Sequence, residues 1–155
     1  MGDEGMANRE DEPKIERLRE VPFLSVCTTE QLAEIARMVD EVRVLPGYVL
    51  AVEGRPGHSF YVIVDGRASV TLGGRSIVSL GPGDFFGEMS ILESQPRSAT
   101  VTAETPMVLY EVHVAAFHEI LRRAPEVSTE MLRTLSYRLR LAEGAPTYED
   151  AKPGS

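Results

Sequence analysis

Cysteine, tryptophan and long apolar runs are scarce or absent in this sequence. The single cysteine, Cys27, has no partner for an internal disulfide, which is typical of proteins from a reducing compartment. No apolar stretch approaches the length of a membrane span, and the acidic N-terminus lacks the apolar core of a signal peptide. The sequence therefore predicts a cytoplasmic protein without a membrane partner, in which Cys27 is a buried and inert thiol.

Histidine is also rare, and the residue types that catalysis needs are not clustered. The three histidines, His58, His113 and His118, do not form the group with a carboxylate that a metal enzyme built on a β roll requires. No serine lies in a nucleophile-elbow context, and no cysteine–histidine pair is suggested by position. We therefore predict no metal site, no catalytic residues and no catalytic cofactor, so that the protein is not an enzyme.

Positive charge is in deficit. The chain has 16 lysines and arginines against 24 aspartates and glutamates, which gives a formal net charge of −8. Such a chain repels a polyanion, and the sequence ends too soon after Leu141 for a helix-turn-helix, so we expect no DNA partner. The same net charge opposes a phosphate ligand, so any phosphate site must be built from local groups.

A series of short strand-like runs separated by glycines is the main feature that the sequence does contain. With 155 residues the chain is long enough for one domain with a core. Residues 59–65 are the most strand-like run, residues 68–72 alternate between apolar and polar, and Gly73-Gly74 predicts a hairpin turn. About eight short strands with few helices between them predict a mostly β fold, an antiparallel jelly roll with flanking helices.

Composition and periodicity also predict the domain limits. Residues 1–13 are acidic and polar and are predicted to be a disordered arm, and residues 144–155 are predicted to be a flexible tail. The domain between them spans residues 14–143. Its parts are helices over 15–40, a β roll over 42–112 and C-terminal helices over 114–143.

Residues 85–101 combine the features of an anion site. Gly87 lets the backbone approach a ligand closely, and the first amides of a helical turn over residues 88–92 would point outward without internal partners. Arg97 follows, and its planar guanidinium can hold a phosphate at two points. The presence of Glu88 beside an anion site is explained if the ligand also carries sugar hydroxyls, because a carboxylate accepts hydrogen bonds from hydroxyl groups. Together these features predict a phosphosugar ligand.

Strand alternation places the Arg97 side chain inside the roll. Arg97, Ala99 and Val101 share one face of a regular strand because side chains alternate with a period of two. The small Ala99 and the apolar Val101 are expected to face inward, so Arg97 should do the same. An arginine inside a roll requires an anion, because an unpaired buried charge is costly.

These residues resemble the phosphate-binding cassette of cyclic-nucleotide-binding domains. The matching segments are Gly87-Glu88-Met89-Ser90-Ile91-Leu92 and Pro96-Arg97-Ser98-Ala99-Thr100-Val101. That family includes regulatory subunits of the cyclic-AMP-dependent kinase, the bacterial catabolite activator and gated ion channels. The resemblance implies that backbone amides of Gly87, Glu88 and Met89 or Ser90 hold the cyclic phosphate together with Arg97. It further implies that Glu88 accepts a hydrogen bond from the ribose 2′-hydroxyl, and that Ser98 touches the ligand, so the strand must begin irregularly there. Ala99 completes the set of ligand-binding candidates.

The base is less well specified by the sequence. In the family, threonine at the position of Ser98 tends to favour guanine and alanine tends to accompany adenine, whereas serine suits either. We therefore prefer cyclic AMP as the ligand, with cyclic GMP as the alternative. The candidates to cover the base are Leu135, Tyr137 and Leu139 of the last helix. One departure from the family lies at His58-Ser59, where an acidic or small polar pair is frequent.

The function predicted from these features is that of a stand-alone sensor. Ligand binding would tighten the cassette, move Ile91 and Leu92 and swing the last helix, which would act on an unidentified protein partner in trans. Leu132, Leu135, Leu139 and Ala142 approximate a two-heptad seam, so this helix either forms a homodimer or packs on its own roll. A degenerate fold that serves as a protein interaction module is the alternative function, and the presence of Glu88 and Arg97 argues against it.

Overall fold

A computed structural model describes residues 12–88 and 95–142 of the chain. The helices are α1 (Glu12–Arg19), a 3₁₀ turn (Pro22–Leu24), α2 (Thr29–Ala36), α3 (Val114–Arg123) and α4 (Glu126–Ala142). The strands are β1 (Asp40–Val44), β2 (Val49–Ala51), β3 (Ser59–Asp65), β4 (Ala68–Leu72), β5 (Arg75–Leu80), β6 (Phe85–Phe86), β7 (Thr100–Ala103) and β8 (Met107–His113).

The N-terminal elements differ in detail from the sequence prediction. Helix α1 begins at Glu12, inside the predicted arm, because an acidic residue and Pro13 suit the first turn of a helix. The helical region predicted over 15–40 is interrupted by the 3₁₀ turn, and β1 already begins at Asp40. The rest of the arm and the predicted tail over 144–155 lie outside the described residues.

Two antiparallel sheets form the roll. The first has the order β1-β8-β3-β6 and the second has the order β2-β7-β4-β5. The Gly73-Gly74 turn joins β4 and β5, and both glycines have positive φ (58° and 79°), as a tight two-residue hairpin turn requires. The predicted fold class, an antiparallel jelly roll with flanking helices, is confirmed.

Strands β3 and β6 of the first sheet are buried on both faces. Along β3, Phe60 and Val62 pack with the helices, whereas Ile63 packs between the two sheets. The two residues of β6 divide in the same way, because Phe85 joins the helix-side core and Phe86 joins the core inside the roll. This double burial explains why β3 reads as an almost continuous apolar run.

Helices α3 and α4 complete the helix-side core. Phe117 of α3 lies 5.0 Å from Phe60 between ring centroids. Val127 and Met131 of α4 are buried in the same core, but Leu132 and Leu139 are 65% and 60% exposed. The apolar residues of α4 therefore do not form one buried stripe, and the second half of the helix extends along the opening of the roll.

Candidate functional site

A cavity of about 390 Å³ opens inside the roll, beside α4. Its walls are mostly apolar and come from the second sheet and from β6; they include Val70, Val78, Leu80 and Val101. Its polar and charged lining consists of Glu88, Arg97, Ser98 and Arg138. An apolar cavity with a few convergent charged groups is the usual form of a small-molecule site.

Arg97 reaches the cavity from an extended segment that precedes β7. Its backbone is held by the loop before β3, since Arg97 N donates to Arg55 O at 2.8 Å and Gly54 N donates to Arg97 O at 2.9 Å. The chain then bends at Ser98 and Ala99, and regular strand begins only at Thr100. Both residues of the bend line the cavity, as does Arg97, so the irregular start that was expected at Ser98 is present.

The Arg97 guanidinium is buried and weakly compensated. The residue is 8% exposed, and Nη1 donates one long hydrogen bond, 3.4 Å, to Gly87 O. Burial lowers the pKa of Arg97, and the neighbouring Tyr61, Glu88 and Glu111 offset part of that shift. Among the described residues no carboxylate lies within 4 Å of this guanidinium. Arg97 therefore presents a positive charge to the cavity.

Glu88 lies at the edge of the cavity and is 7% exposed. Its Oε1 accepts a hydrogen bond from Arg138 Nη1 at 3.4 Å, and Arg138 Nη2 donates to Phe85 O at 2.7 Å. The same guanidinium lies over the Phe85 ring, 4.3 Å from its centroid. Arg138 therefore connects α4 to the segment that begins the cassette, a contact that sequence reasoning missed.

The remaining candidates divide into three groups. Gly87 lines the cavity with φ of 94°, while Met89 and Ser90, with Ile91 and Leu92, lie outside the described residues. Leu135 is partly buried against the helix-side core, and Tyr137 and Leu139 are 47% and 60% exposed. None of these three base-covering candidates lines the cavity.

Arg138 and Leu141, three positions apart on one face of α4, line the cavity instead. Ile77 and Val78 of β5 also line the cavity and are 56% and 48% exposed. The sequence carried a signal for both pairs. The i, i+3 spacing of Arg138 and Leu141 places them on one face, and β5 contains two adjacent apolar residues that a single buried face cannot hold.

The histidines do not assemble a second site in the described part of the chain. His113 Nδ1 lies 3.1 Å from Ser59 Oγ, and its Nε2 lies 3.7 Å from an Asp40 oxygen. Ser59 is 6% exposed and does not line the cavity, so a substrate cannot reach its hydroxyl. Residues 12–88 and 95–142 hold no group of three or more side chains suited to bind a metal ion. None of their helices has the length and apolar character needed to cross a bilayer.

Comparison with known proteins agrees with this geometry. The chain matches the cyclic nucleotide-binding domain family over residues 41–124, more than half of its length. It therefore belongs to this family, and the resemblance noted at residues 87–101 is confirmed.

Two curated relatives and one solved structure illustrate the match. A cAMP-dependent protein kinase regulatory subunit of Colletotrichum orbiculare is 37% identical over 106 residues, which cover 67% of this chain and 27% of that protein. A cyclic nucleotide-gated potassium channel of Mesorhizobium japonicum is 35% identical over 125 residues, 81% of this chain and 35% of the channel. The structure of the catabolite activator protein of Thermus thermophilus aligns with a TM-score of 0.71 and 28% identity, and covers 79% of this chain and 60% of that one. The chain spans about a third or less of the two curated relatives.

Proposed function

We propose that this domain binds a cyclic nucleotide, preferentially cyclic AMP, in the cavity between the roll and α4. The observation that carries the proposal is the Arg97 guanidinium, which is 8% exposed and faces an apolar cavity. A buried cation with so little compensation is explained by an anionic ligand that completes the site. A singly charged cyclic phosphate can accept two hydrogen bonds from the guanidinium and, as the family resemblance implies, further ones from backbone amides of Gly87, Glu88 and Met89 or Ser90.

Glu88 provides the second half of recognition. Its carboxylate stands beside the same cavity and accepts hydrogen bonds, which suits the ribose 2′-hydroxyl. The base then lies toward the cavity opening, where Ile77 and Val78 offer an apolar surface and Leu141 faces them. Ser98 contacts either the phosphate or the purine edge, so cyclic GMP is the ligand to compare with cyclic AMP.

Arg138 supplies a route from the ligand to α4. In the structure it holds Glu88 and the carbonyl of Phe85 together. A ribose hydroxyl that binds Glu88 shares this carboxylate with Arg138, so the position of α4 is coupled to occupancy of the cavity. The ligand shifts this equilibrium by its differential affinity for the two helix positions.

The domain acts as a regulator and not as an enzyme in this proposal, and it passes the movement of α4 to a protein partner in trans. Support comes from its relatives, which are named as a kinase regulatory subunit and a gated channel. The exposed Leu132 and Leu139 lie seven residues apart on α4 and suit a second copy of the helix, which makes a homodimer the first partner to test. A cytoplasmic location remains a prediction from the sequence.

Calorimetric titration of nucleotide-stripped protein with cyclic AMP, cyclic GMP and linear 5′-AMP tests the proposal. We expect saturable binding of cyclic AMP, weaker or equal binding of cyclic GMP, and much weaker binding of 5′-AMP because its phosphate has a different charge and shape. A folded protein that binds neither cyclic nucleotide would support the interaction-module alternative.

A further inference from the structure

The loop before β3 lies so close to the Arg97 side chain that a side chain at position 57 of the loop would clash with it. A Cβ atom placed on Gly57 would lie 2.1 Å from Arg97 Nε and 2.2 Å from its Cζ. On the other side, a Cβ atom on Gly87 would lie 2.5 Å from Arg97 Nη1. The guanidinium therefore lies between two stretches of bare backbone.

The two glycines are constrained for different reasons. Gly87 has φ of 94° and its added Cβ would also meet the Ser59 carbonyl oxygen at 2.9 Å, so the backbone itself requires glycine there. Gly57 has an ordinary φ, and the three atoms nearest to its added Cβ all belong to the Arg97 side chain. At Gly57, the arginine is therefore the nearest obstacle to a side chain.

The loop that carries Gly57 is fixed relative to Arg97. Gly54 and Arg55 exchange backbone hydrogen bonds with Arg97, at 2.9 and 2.8 Å. On the far side of Gly57, the His58 carbonyl accepts from Val114 N at 3.1 Å, which attaches the loop to the start of α3. A side chain at position 57 would therefore displace the end of the flexible arginine before it displaced the loop.

We propose that Gly57 is a positioning residue for Arg97. Because Gly57 has no side chain, the guanidinium can lie against the loop, at the wall of the cavity that Arg97 lines. The consequence for ligand affinity rests on the proposed function, whereas the position of the guanidinium does not. The methyl group of Gly57→Ala would push the Arg97 guanidinium into the cavity. The guanidinium could then no longer hold a phosphate through two hydrogen bonds.

The first test measures the arginine without any nucleotide. In ¹⁵N-labelled protein, the Arg97 Nε–Hε resonance is assigned by its loss in Arg97→Ala. We expect Gly57→Ala to shift this resonance and to speed its exchange with water. Gly81→Ala is the matched control, because Gly81 also has an ordinary φ and also lies beside an arginine, with its added Cβ 3.2 Å from Arg67 Nη1. An unchanged Arg97 resonance in Gly57→Ala overturns the proposal, regardless of the nucleotide affinity of the variant.

The second test measures cyclic AMP affinity by calorimetry. We expect Gly57→Ala to remove one hydrogen bond between the charged Arg97 guanidinium and the phosphate. Cyclic AMP should therefore bind about ten- to a hundredfold more weakly, whereas Gly81→Ala should leave the affinity unchanged. If wild-type protein binds no cyclic nucleotide, the proposed function fails, and the resonance of Arg97 still decides the role of Gly57.

A double variant covers the case in which Gly57→Ala destabilises the fold. If the clash with Arg97 is the cause, then Gly57→Ala combined with Arg97→Ala has the thermal midpoint of Arg97→Ala alone. A double variant that remains less stable than Arg97→Ala assigns Gly57 to the loop itself and overturns the proposal.

Discussion

Replacing Arg97 by methionine should separate ligand binding from stability. Methionine keeps much of the length of the side chain and removes the charge and the fork. In the proposed complex the guanidinium is a buried, hydrogen-bonded charge opposite the cyclic phosphate. Truncating one partner of such a pair costs about 2–5 kcal/mol, or about 30-fold to several thousandfold in affinity.

The unliganded protein should respond very differently to the same change. Arg97 makes one long hydrogen bond to Gly87 O, 3.4 Å, and burial lowers its pKa, which means that the folded protein holds this charge at a cost. Removing the Arg97 charge should therefore change the free energy of unfolding by less than about 1 kcal/mol. The prediction concerns the size of this change and not its sign.

Two measurements on the same preparations test this reasoning. Calorimetry gives the affinity for cyclic AMP, and urea denaturation without nucleotide gives the free energy of unfolding. Arg67→Met, at an exposed arginine outside the cavity, is the matched control and should change neither quantity. The reasoning is refuted if Arg97→Met binds cyclic AMP as the wild type does, or if its lost stability is as large as its lost affinity.

Three further predictions address other contacts of the site. Glu88→Ala should weaken cyclic AMP more than its 2′-deoxy analogue, as measured by calorimetry, and equal losses would remove the ribose role from Glu88. Arg138→Gln should speed amide hydrogen exchange in the second half of α4, because Arg138 supplies the contacts to Glu88 and Phe85 O; Arg140→Gln, at an exposed position, is the control. The pKa of Tyr61 is raised to about 12, first by burial and then by Glu111, so the stability that its neutral form contributes is complete below the ordinary value of 10.0 and is lost as the pH rises toward 12. Urea denaturation should show a smaller loss of stability over this interval in Tyr61→Phe, and an equal loss would show that Tyr61 does not cause it.

The sequence predicted the fold and the inward direction of Arg97 for reasons that are local. Glycine spacing and period-two alternation are set by backbone geometry, so they could be read without a structure. Alternation placed Arg97 on the face of Val101, and the structure has both residues lining the cavity. The bend at Ser98 was expected only from the family resemblance, because a regular alternation would have turned that side chain away.

The contacts that were missed join residues far apart in the chain. Arg138 reaches Glu88 across 50 positions, and neither residue alone indicates the other. The three candidates to cover the base do not line the cavity, for a related reason. Leu135, Tyr137 and Leu139 were chosen for size and apolarity, but the rotation of α4 is set by Val127 and Met131 in the helix-side core. That rotation turns Arg138 and Leu141 to the cavity.

The placement of β6 limits how the cassette can move. Phe85 and Phe86 are neighbours in the chain but are fixed in separate cores, one against the helices and one inside the roll. A shift of this strand in either direction would pull one phenyl ring out of its packing. The first backbone torsions free to change are therefore those of Gly87, directly after the two rings. Motion started by a bound ligand is therefore expected to pivot at Gly87, while the two rings of β6 keep their positions.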